Sequence, residues 1–550
     1  MRKRNDCHTA WALQVVVLLC GCIYQPAAFA QQPHEVESIA QVIPVAINPG
    51  GQMPLSLSEA IQMALANNKD IEMARQNVLA ADWDVKGAFA AYDPRSTFSS
   101  FYEHTRTPVA SFLSGGLNGS VEQSALTAAY RLEGSVARGG GTYEMNVSSQ
   151  RLSTNNIFAS LNPQYPSEVS FRYTQPLGRG RNFSTRLRDI EIAKKNVSLT
   201  DAQFRQSATQ TIVTVQRAYW DLVFARSNLA IQGDVLRDIR GQLEHNERRA
   251  AAGTFASIDV VGTEARVAES EQRVYGALEE ATRAENALKN LIAENSSARL
   301  WNVSLIPKES VNPNPSTVTL ESALAAAMDN RLELQETDVI REINAVQERY
   351  YRDQTRPQID LVGSYGIVGL GGSFVDTQAI KPLLGLTPGP LPDFLEGGYG
   401  QSLANLAQNR FNNVRVGIQI NLPLRNRTAE AQLGRTTVER QRLATQQEKL
   451  KQLVQMDVRN ALQAVHVAES RQRAATTFRT SLEQQYASEQ RRLNVGYSTT
   501  YLVLERQIGL AAARLNELRA QTEQNKALAE LQRAMGTALL DNSIAVRSRD

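Results

Sequence analysis

The chain has 550 residues, enough for about three or four ordinary domains or one elongated domain. Its 59 Lys and Arg against 56 Asp and Glu leave a net charge of +3, which lacks the positive field typical of nucleic-acid-binding proteins. No run of about 18 apolar residues occurs, which excludes a bundle of transmembrane helices. All three cysteines lie before residue 23, so cysteine chemistry is excluded from the rest of the chain.

Residues 1–30 are predicted to be an export signal. Arg2, Lys3 and Arg4 precede an apolar segment at 11–23 that is too short to span a bilayer, and Ala-Phe-Ala at 28–30 is a typical cleavage site. An alternative is a lipoprotein signal, in which Cys22 is the lipidated residue. In either case the protein leaves the cytoplasm. After cleavage at Ala30 the mature chain would contain no cysteine, which suits an oxidising compartment.

Two long stretches without proline, 177–306 and 424–550, predict very long helices. A helix over about 186–252 would be roughly 100 Å long, which indicates a rod or tube and not a compact core. Apolar residues of this helix recur every seven positions, as in a coiled coil, at Val215, Leu222, Leu229, Leu236 and Leu243.

The two halves of the chain repeat each other. Leu-Ser-Glu-Ala-Ile at 57–61 parallels Leu-Glu-Ser-Ala-Leu at 320–324, an offset of 263. Each half is predicted to contain a helix, a β-region, a very long helix, a turn and a return helix. The predicted segments are a signal (1–30), an N-terminal linker (31–54), a first repeat (55–306, β-region 95–177), a linker (307–318), a second repeat (319–540, β-region 357–424) and a tail (541–550).

The β-regions contain segments of alternating polarity. In the clearest, apolar Val414, Val416 and Ile418 alternate with polar or small residues, and weaker examples occur near 169–174, 359–365 and 96–106. A further hairpin is predicted at 125–149 across three consecutive glycines. One such strand alone fits a soluble two-faced sheet, but several of them in an exported chain without an apolar helix favour transmembrane β-strands.

A sheet in lipid must close, because unpaired backbone edges are not tolerated there. About four strands per chain cannot close a barrel, since the smallest bacterial barrels have about eight. Three copies would supply about twelve strands, or about eighteen if the 125–149 hairpin also enters the bilayer. The sequence leaves that choice open.

Several segments in this order resemble the TolC-type outer membrane efflux proteins, also called outer membrane factors. They are the opening at 57–61, Thr-Gln-Pro-Leu-Gly-Arg-Gly at 174–180, Leu-Pro-Leu-Arg-Asn-Arg at 422–427 and Met-Gly-Thr at 535–537. The resemblance covers about 55–540. It implies an α+β fold: a trimeric outer-membrane β-barrel, with about four strands per chain, continued by a long α-helical coiled-coil barrel in the periplasm.

The resemblance also implies a function. The chain would be a homotrimeric, passive outer membrane exit channel of a tripartite efflux or type I secretion system. A periplasmic adaptor protein and an inner-membrane pump would open it, and outer membrane lipid would surround it. A structural coiled-coil protein of the cell envelope, without a pore, is the alternative. The substrate, the class of pump and the adaptor stay open.

Two glycines mark the predicted turns between the long helices and their return helices. Gly253 and Gly496 fit the position just after a helix, where a positive φ is needed. Ser257 and Thr500 are predicted to cap the return helices, and Asp259 would lie in the first turn of its helix, where the dipole favours an acid.

By resemblance, these turns form the periplasmic tip, where the tunnel narrows and the adaptor docks. Asp259 matches the acidic position of the first turn. In the second turn Leu502 replaces the first of two acids of the family, and Glu505 stands at the second. Glu505 and Asp259 are therefore candidate residues of the pore constriction, although an orientation of Glu505 toward the outer helix face stays open.

No catalytic arrangement is present in the sequence. The five histidines are scattered without metal-ligand spacing, and no nucleophile elbow, phosphate-binding loop or zinc-protease motif occurs. We therefore predict no enzyme activity, no cofactor and no metal. Without a site for ATP the chain cannot power transport, so a partner must open the conduit.

Overall fold

The computed structural model describes residues 51–542 apart from 112–113, 117–118, 255, 310, 312–316 and 376–390. Several predictions lie outside the described residues: the signal at 1–30 with Cys22, residues 31–50 of the N-terminal linker, residues 310 and 312–316 of the linker at 307–318, and residues 543–550 of the tail.

Long helices dominate the structure. In chain order the helices are α1 (Leu57–Asn67), α2 (Lys69–Phe89), α3 (Thr185–Ala251), α4 (Ser257–Ile292), α5 (Leu320–Asn330), α6 (Leu332–Gln354), α7 (Tyr399–Ala407), α8 (Arg427–Asn494), α9 (Thr500–Met535) and α10 (Ala538–Asp541). With 67 and 68 residues, α3 and α8 are each about 100 Å long. The long helix predicted over about 186–252 is thus confirmed to within one residue. None of the described helices has the length and apolar character needed to cross a membrane.

The same order of elements occurs in both halves of the chain. Helices α1 and α5 each have 11 residues, and each begins with a capping box, made by Ser56 with Glu59 and by Thr319 with Ser322. A second helix, strands, a very long helix and a return helix follow in each half. Helix α3 packs on its return helix α4, as α8 packs on α9, and α3 also contacts α9 across the halves.

The largest buried cluster lies where the short helices meet the long ones. Tyr219 and Trp220 of α3 and Leu288 of α4 pack there against α1. The strands β1 (Gln52–Leu55) and β7 (Ser304–Pro307) pair in parallel beside it. The Tyr219 hydroxyl donates a hydrogen bond to the carbonyl oxygen of Leu55 at 3.1 Å, which ties α3 to this small sheet.

The remaining strands form the main sheet. They are β2 (Arg95–Pro108), β3 (Ser120–Ser135), β4 (Thr142–Thr154), β5 (Leu161–Gln164), β6 (Ser167–Pro176), β8 (Gln358–Gly369), β9 (Gly372–Phe374) and β10 (Phe411–Asn421). The spatial order is β10-β8-β6-β4-β3-β2, with antiparallel neighbours throughout, and the short β5 and β9 pair beside this path. Pro94 and Pro357 directly precede β2 and β8, as expected where a helix gives way to a strand.

The sheet has more long strands than the four counted from the sequence. Six strands have between 10 and 16 residues. The two additional ones, β3 and β4, contain the predicted hairpin at 125–149 and lie between β2 and β6. They belong to the sheet because β3 satisfies the backbone hydrogen bonds along the full length of β2, and β4 pairs with β3 on one side and with β6 on the other.

Candidate functional site

One face of the main sheet is apolar across its long strands. The register places Phe98, Tyr130, Val147, Val169 and Ile367 in one row across β2, β3, β4, β6 and β8. The other large apolar residues on this face are Tyr102, Leu126, Leu132, Tyr143, Met145, Phe171, Tyr173, Ile359, Leu361, Tyr365, Val414, Val416, Ile418 and Ile420.

Much of this face is exposed in the single chain. The exposed fraction is 72% for Phe98, 73% for Val416 and 62% for Ile418. An apolar surface that continues over six strands is far larger than the isolated apolar patches of a soluble monomer. It indicates a surface that contacts something other than water.

The opposite face carries most of the charges of the sheet. A row crosses all six strands in the register, formed by Arg95, Glu133, Glu144, Arg172, Ser364 and Arg415. Arg95 lies 4.0 Å from Glu133, and Arg131 on the same face lies 3.3 Å from Glu144. The sheet therefore separates an apolar side from a charged, hydrogen-bonding side.

The sheet is open within one chain. In the part of the chain that the structure describes, β2 and β10 each pair with one neighbour, so each leaves an unpaired backbone edge. Exposed edges of long strands are templates for pairing with another chain.

The turns between the long helices and their return helices are the second candidate region. Gly253 and Gly496 have φ values of +70° and +83°, as predicted. In each turn the glycine N–H bonds the carbonyl oxygen three residues back, and the next N–H bonds the one five residues back, at 2.9–3.0 Å. Both ends are thus Schellman motifs, which satisfy carbonyl groups at the helix terminus.

The predicted caps of the return helices are wrong by one position. Ser257 is the first residue of α4, and the capping position is Ala256, whose side chain makes no hydrogen bond. In the second turn Thr499 caps α9 by accepting a hydrogen bond from the Leu502 N–H at 3.3 Å, and Thr500 is the first helical residue. Two adjacent threonines offer equivalent hydroxyls, so the sequence alone did not show where the extended backbone of a cap would lie. Asp259 lies in the first turn of α4, as predicted.

A cavity of about 540 Å³ lies between the ends of these helices. Its lining residues from α3, α4 and α9 are Gln242, Asn246, Ile258, Asp259, Gly262, Thr263, Arg266, Thr499, Thr500, Tyr501 and Leu504. The structure thus brings Asp259 and Thr500 to one cavity, whereas Ser257, Gly253, Gly496 and Glu505 are not among its lining residues. Glu505 is exposed beside Leu504, which packs on Val235 and Ile239 of α3.

Sequence reasoning missed the polar contacts inside this cavity. The buried Asn246 donates a hydrogen bond to the Thr263 hydroxyl at 3.0 Å, which joins α3 to α4. The Arg266 guanidinium lies over the Tyr501 ring at 4.5 Å, which joins α4 to α9. A signal existed, because Asn246 continues the apolar spacing of α3 at Leu236, Ile239 and Leu243.

Among the described residues no group of three or more His, Cys, Asp or Glu side chains is arranged to hold a metal ion. The features that the described residues do present are an apolar sheet face, a charged opposite face and a polar cavity at the helix tip.

Comparison with protein families gives one match. Residues 141–294 match the family model described as outer membrane efflux protein. This range begins next to β4 and ends after α4, so it covers the end of the first β-region, the long helix and its return helix. A comparison with curated protein sequences finds no match.

Solved structures of low sequence identity share the fold. The Campylobacter jejuni CmeC outer membrane channel has a TM-score of 0.62 and 12% identity, with 88% of this chain and 86% of that chain covered. The Vibrio cholerae outer membrane protein VceC has a TM-score of 0.58 and 15% identity, with 87% and 96% covered. The open state of the Neisseria gonorrhoeae MtrE outer membrane channel has a TM-score of 0.55 and 17% identity, with 87% and 88% covered.

Proposed function

We propose that this chain, which belongs to the outer membrane efflux protein family, is a passive exit channel of a tripartite efflux or type I secretion system. Two predictions from the sequence are confirmed by the family match: the family itself, and the location in the outer membrane with an extension into the periplasm. The observation that carries the proposal is the two-faced sheet, with an exposed apolar face, a charged face and two open edges.

Three copies would close this sheet into one barrel. Along the meander β2 runs away from the helices and β10 runs back toward them, so β10 of one copy can pair antiparallel with β2 of the next. Such closure removes both edges, as a sheet in lipid requires. The apolar face then contacts lipid, and the row of charges lines an aqueous lumen.

The long helices would continue the conduit into the periplasm. Helix α3 begins next to the sheet and extends about 100 Å to its tip. Three copies of α3, α4, α8 and α9 would form a helical tunnel. Rings of Asp259 and Glu505 are proposed to line its narrow end.

Exposed apolar side chains at the tips offer a surface for the periplasmic adaptor. Ile258 is 75% exposed, Val495 67% and Tyr497 87%, all beside the two turns. An adaptor that contacts them could separate the helix ends, with the energy supplied by an inner-membrane pump. The chain itself then needs neither a nucleotide site nor a metal.

The rival function is a coiled-coil scaffold of the cell envelope without a pore. Such a scaffold would not explain the wide apolar face of the sheet, which would be exposed to water. The test that separates the two functions combines unboiled gels with planar-bilayer recordings of the purified protein. A channel gives a trimer that resists detergent until boiled, together with discrete single-channel currents. A monomer, or a trimer without current under any voltage, would contradict the proposal.

The role of Glu505 has a separate test. Three carboxylates in a confined ring attract cations. Glu505→Gln should lower cation selectivity and weaken block by multivalent cations, and Glu505→Lys should reduce the selectivity further or invert it. If both variants keep wild-type selectivity and block, Glu505 does not line the constriction, and Asp259→Asn becomes the next variant to record.

A further inference from the structure

We infer that the hairpin of β3 and β4 crosses the outer membrane together with the other four long strands. Six strands from each of three copies then make a barrel of eighteen strands, and not the twelve expected from four strands per chain. The inference rests on the proposed function, because it presumes that three copies close the sheet in lipid.

The hairpin is long enough to span. A tilted transmembrane strand needs about 9–11 residues. Strands β3 and β4 have 16 and 13 residues. The pairing of β2 with β3 runs without interruption from Arg95 with Glu133 to Pro108 with Ser120. Strand β3 is therefore part of the wall along the whole of β2.

The hairpin also shares the two faces of the sheet. Tyr130 lies in register with Phe98 of β2 on one side and with Val147 of β4 on the other, and Val147 with Val169 of β6. If β2 and β6 contact lipid through Phe98 and Val169, the hairpin between them presents its apolar residues to the same lipid.

Charges on the apolar side of the hairpin lie only toward its far end. Glu122, near the start of β3, is 3.2 Å from Arg106 of β2. Arg151 lies near the end of β4, opposite Leu126. Ser149 is the last residue of β4 that pairs with β6, so both charges lie beyond the part of the sheet that all six strands share, on the side away from the helices. Long charged side chains can reach water from such a position.

The turn of the hairpin is fixed at the periplasmic end of the sheet. The Gln175 side-chain amide donates a hydrogen bond to the Gly139 carbonyl oxygen at 2.6 Å. A Cβ on Gly140 would lie 2.5 Å from the carbonyl oxygen of Gly180, shortly before α3 begins. The hairpin thus reaches from the outer end of the sheet to the start of the long helix.

The charged face supplies an independent argument. Glu133 and Glu144 of the hairpin stand between Arg95 of β2 and Arg172 of β6 in the row of charges. Without the hairpin, β2 and β6 would be antiparallel neighbours and would bring two arginines together. The hairpin therefore contributes both acids of the row, and its charged side faces the same lumen as the rest of the sheet.

The additional strands change the size of the conduit. With strands about 4.8 Å apart and a tilt of about 40°, an eighteen-stranded barrel has a radius of about 18 Å, against about 12 Å for twelve strands. Barrels of about 16–18 strands enclose an aqueous channel. The membrane part would then be wide, and the helix tips alone would control passage.

Two adjacent alanines allow a direct test. Ala128 of β3 lies on the apolar face and Ala129 on the charged face. Single-cysteine variants Ala128→Cys and Ala129→Cys would be reconstituted in liposomes. Labelling by a membrane-impermeant maleimide would report access of the cysteine to water. Quenching of a bimane fluorophore on the cysteine by nitroxide-labelled lipids would report contact with lipid. We expect labelling by the maleimide at 129, and quenching by the lipids at 128.

The matched controls are Gly417→Cys and Ile418→Cys in β10, on the charged and the apolar face. A Cβ on Gly417 meets no atom within 4 Å, so the substitution fits. If the bimane at position 418 is quenched by the lipids while the bimane at position 128 is not, the hairpin lies outside the bilayer. This inference is then wrong, but the proposed channel function is not contradicted. If 418 is not quenched either, the proposed function and the inference both fail.

Distances between copies give a second measurement. Spin labels on Gly417→Cys in the trimer should be separated by about 31 Å in an eighteen-stranded barrel and about 21 Å in a twelve-stranded one. Replacing residues 109–166 with a short turn, which lets β2 pair with β6, should shorten the distance by about one third. A wild-type distance near the lower value would overturn the inference even if this deletion variant failed to fold.

Discussion

The sheet and the helices of this chain follow opposite rules of burial. Along α3, apolar side chains such as Leu222 are fully buried against neighbouring helices, and charged ones face outward. Along β10, apolar Val416 and Ile418 are exposed, while the alternating positions carry Arg415 and Gln419. This difference supports the proposal that water surrounds the helices and that lipid covers the apolar face of the sheet.

The largest effect is expected from a charge placed on the apolar face of the sheet. Ile418→Arg would put three guanidinium groups into lipid in a trimer, at a cost of about 2–4 kcal/mol per chain near the middle of the bilayer. We expect loss of the heat-stable trimer on unboiled gels. Gln419→Arg, one residue further on the charged face, is the control and should leave the trimer intact; equal yields of both variants would refute the assignment of faces.

The next prediction compares truncations of equal size. Leu222→Ala removes buried atoms from the cluster around Tyr219 and should lower the free energy of unfolding by about 2–5 kcal/mol. Ile420→Ala on the exposed apolar face should cost less than about 1 kcal/mol, because lipid tails can occupy the space that is left. Denaturation in lipid or detergent, followed by tryptophan fluorescence, measures both. A larger loss for Ile420→Ala would show that protein, and not lipid, covers that face.

A smaller effect is expected at the helix tip. Gly496→Ala forces alanine into a positive φ and should destabilise the turn by about 1–2 kcal/mol, although its Cβ meets no atom within 4 Å. Gly509→Ala, inside α9 and equally free of contacts, should instead stabilise the helix by about 0.5–1 kcal/mol. Hydrogen exchange of α9 would detect this opposite pair, and effects of the same sign would contradict the turn geometry.

The smallest effect concerns a carboxyl group in the helical region. Burial, and then the charge of Glu333, raise the pKa of Glu336 above its ordinary value. The folded state therefore favours the protonated form, and this stabilising contribution is lost as pH rises through the folded pKa. Glu336→Gln should increase the free energy of unfolding at neutral pH by less than about 1 kcal/mol, because the group is partly solvated. A higher melting temperature would report this gain. The gain should shrink at acidic pH; a gain independent of pH would rule out titration as its cause.

Much of the fold could be predicted because each local signal has a simple physical cause. Missing prolines allowed α3 to be placed within one residue, and Gly253 and Gly496 marked the turns, since few other residues tolerate a positive φ. The order of strands in the sheet was harder to predict, because the weak alternation of polarity in β3 and β4 does not reveal which strands they pair with. Their partners, β2 and β6, are known only from the register.

The candidate site was predicted less completely than the fold. Asp259 was found because an acid in the first turn of a helix has a known electrostatic reason. Asn246, Thr263 and Arg266 were missed, because their contacts depend on how three helices meet at the tip. Whether Glu505 faces a pore depends on neighbouring copies, which no pattern within one chain specifies.

The most direct test of the account is the structure of the full-length protein reconstituted in lipid nanodiscs, determined by electron cryo-microscopy. We predict three copies around one barrel within the disc, with β10 of each copy paired to β2 of the next and the helices projecting from one side. A single copy in the disc, or a trimer whose sheets lie outside the lipid, would contradict it.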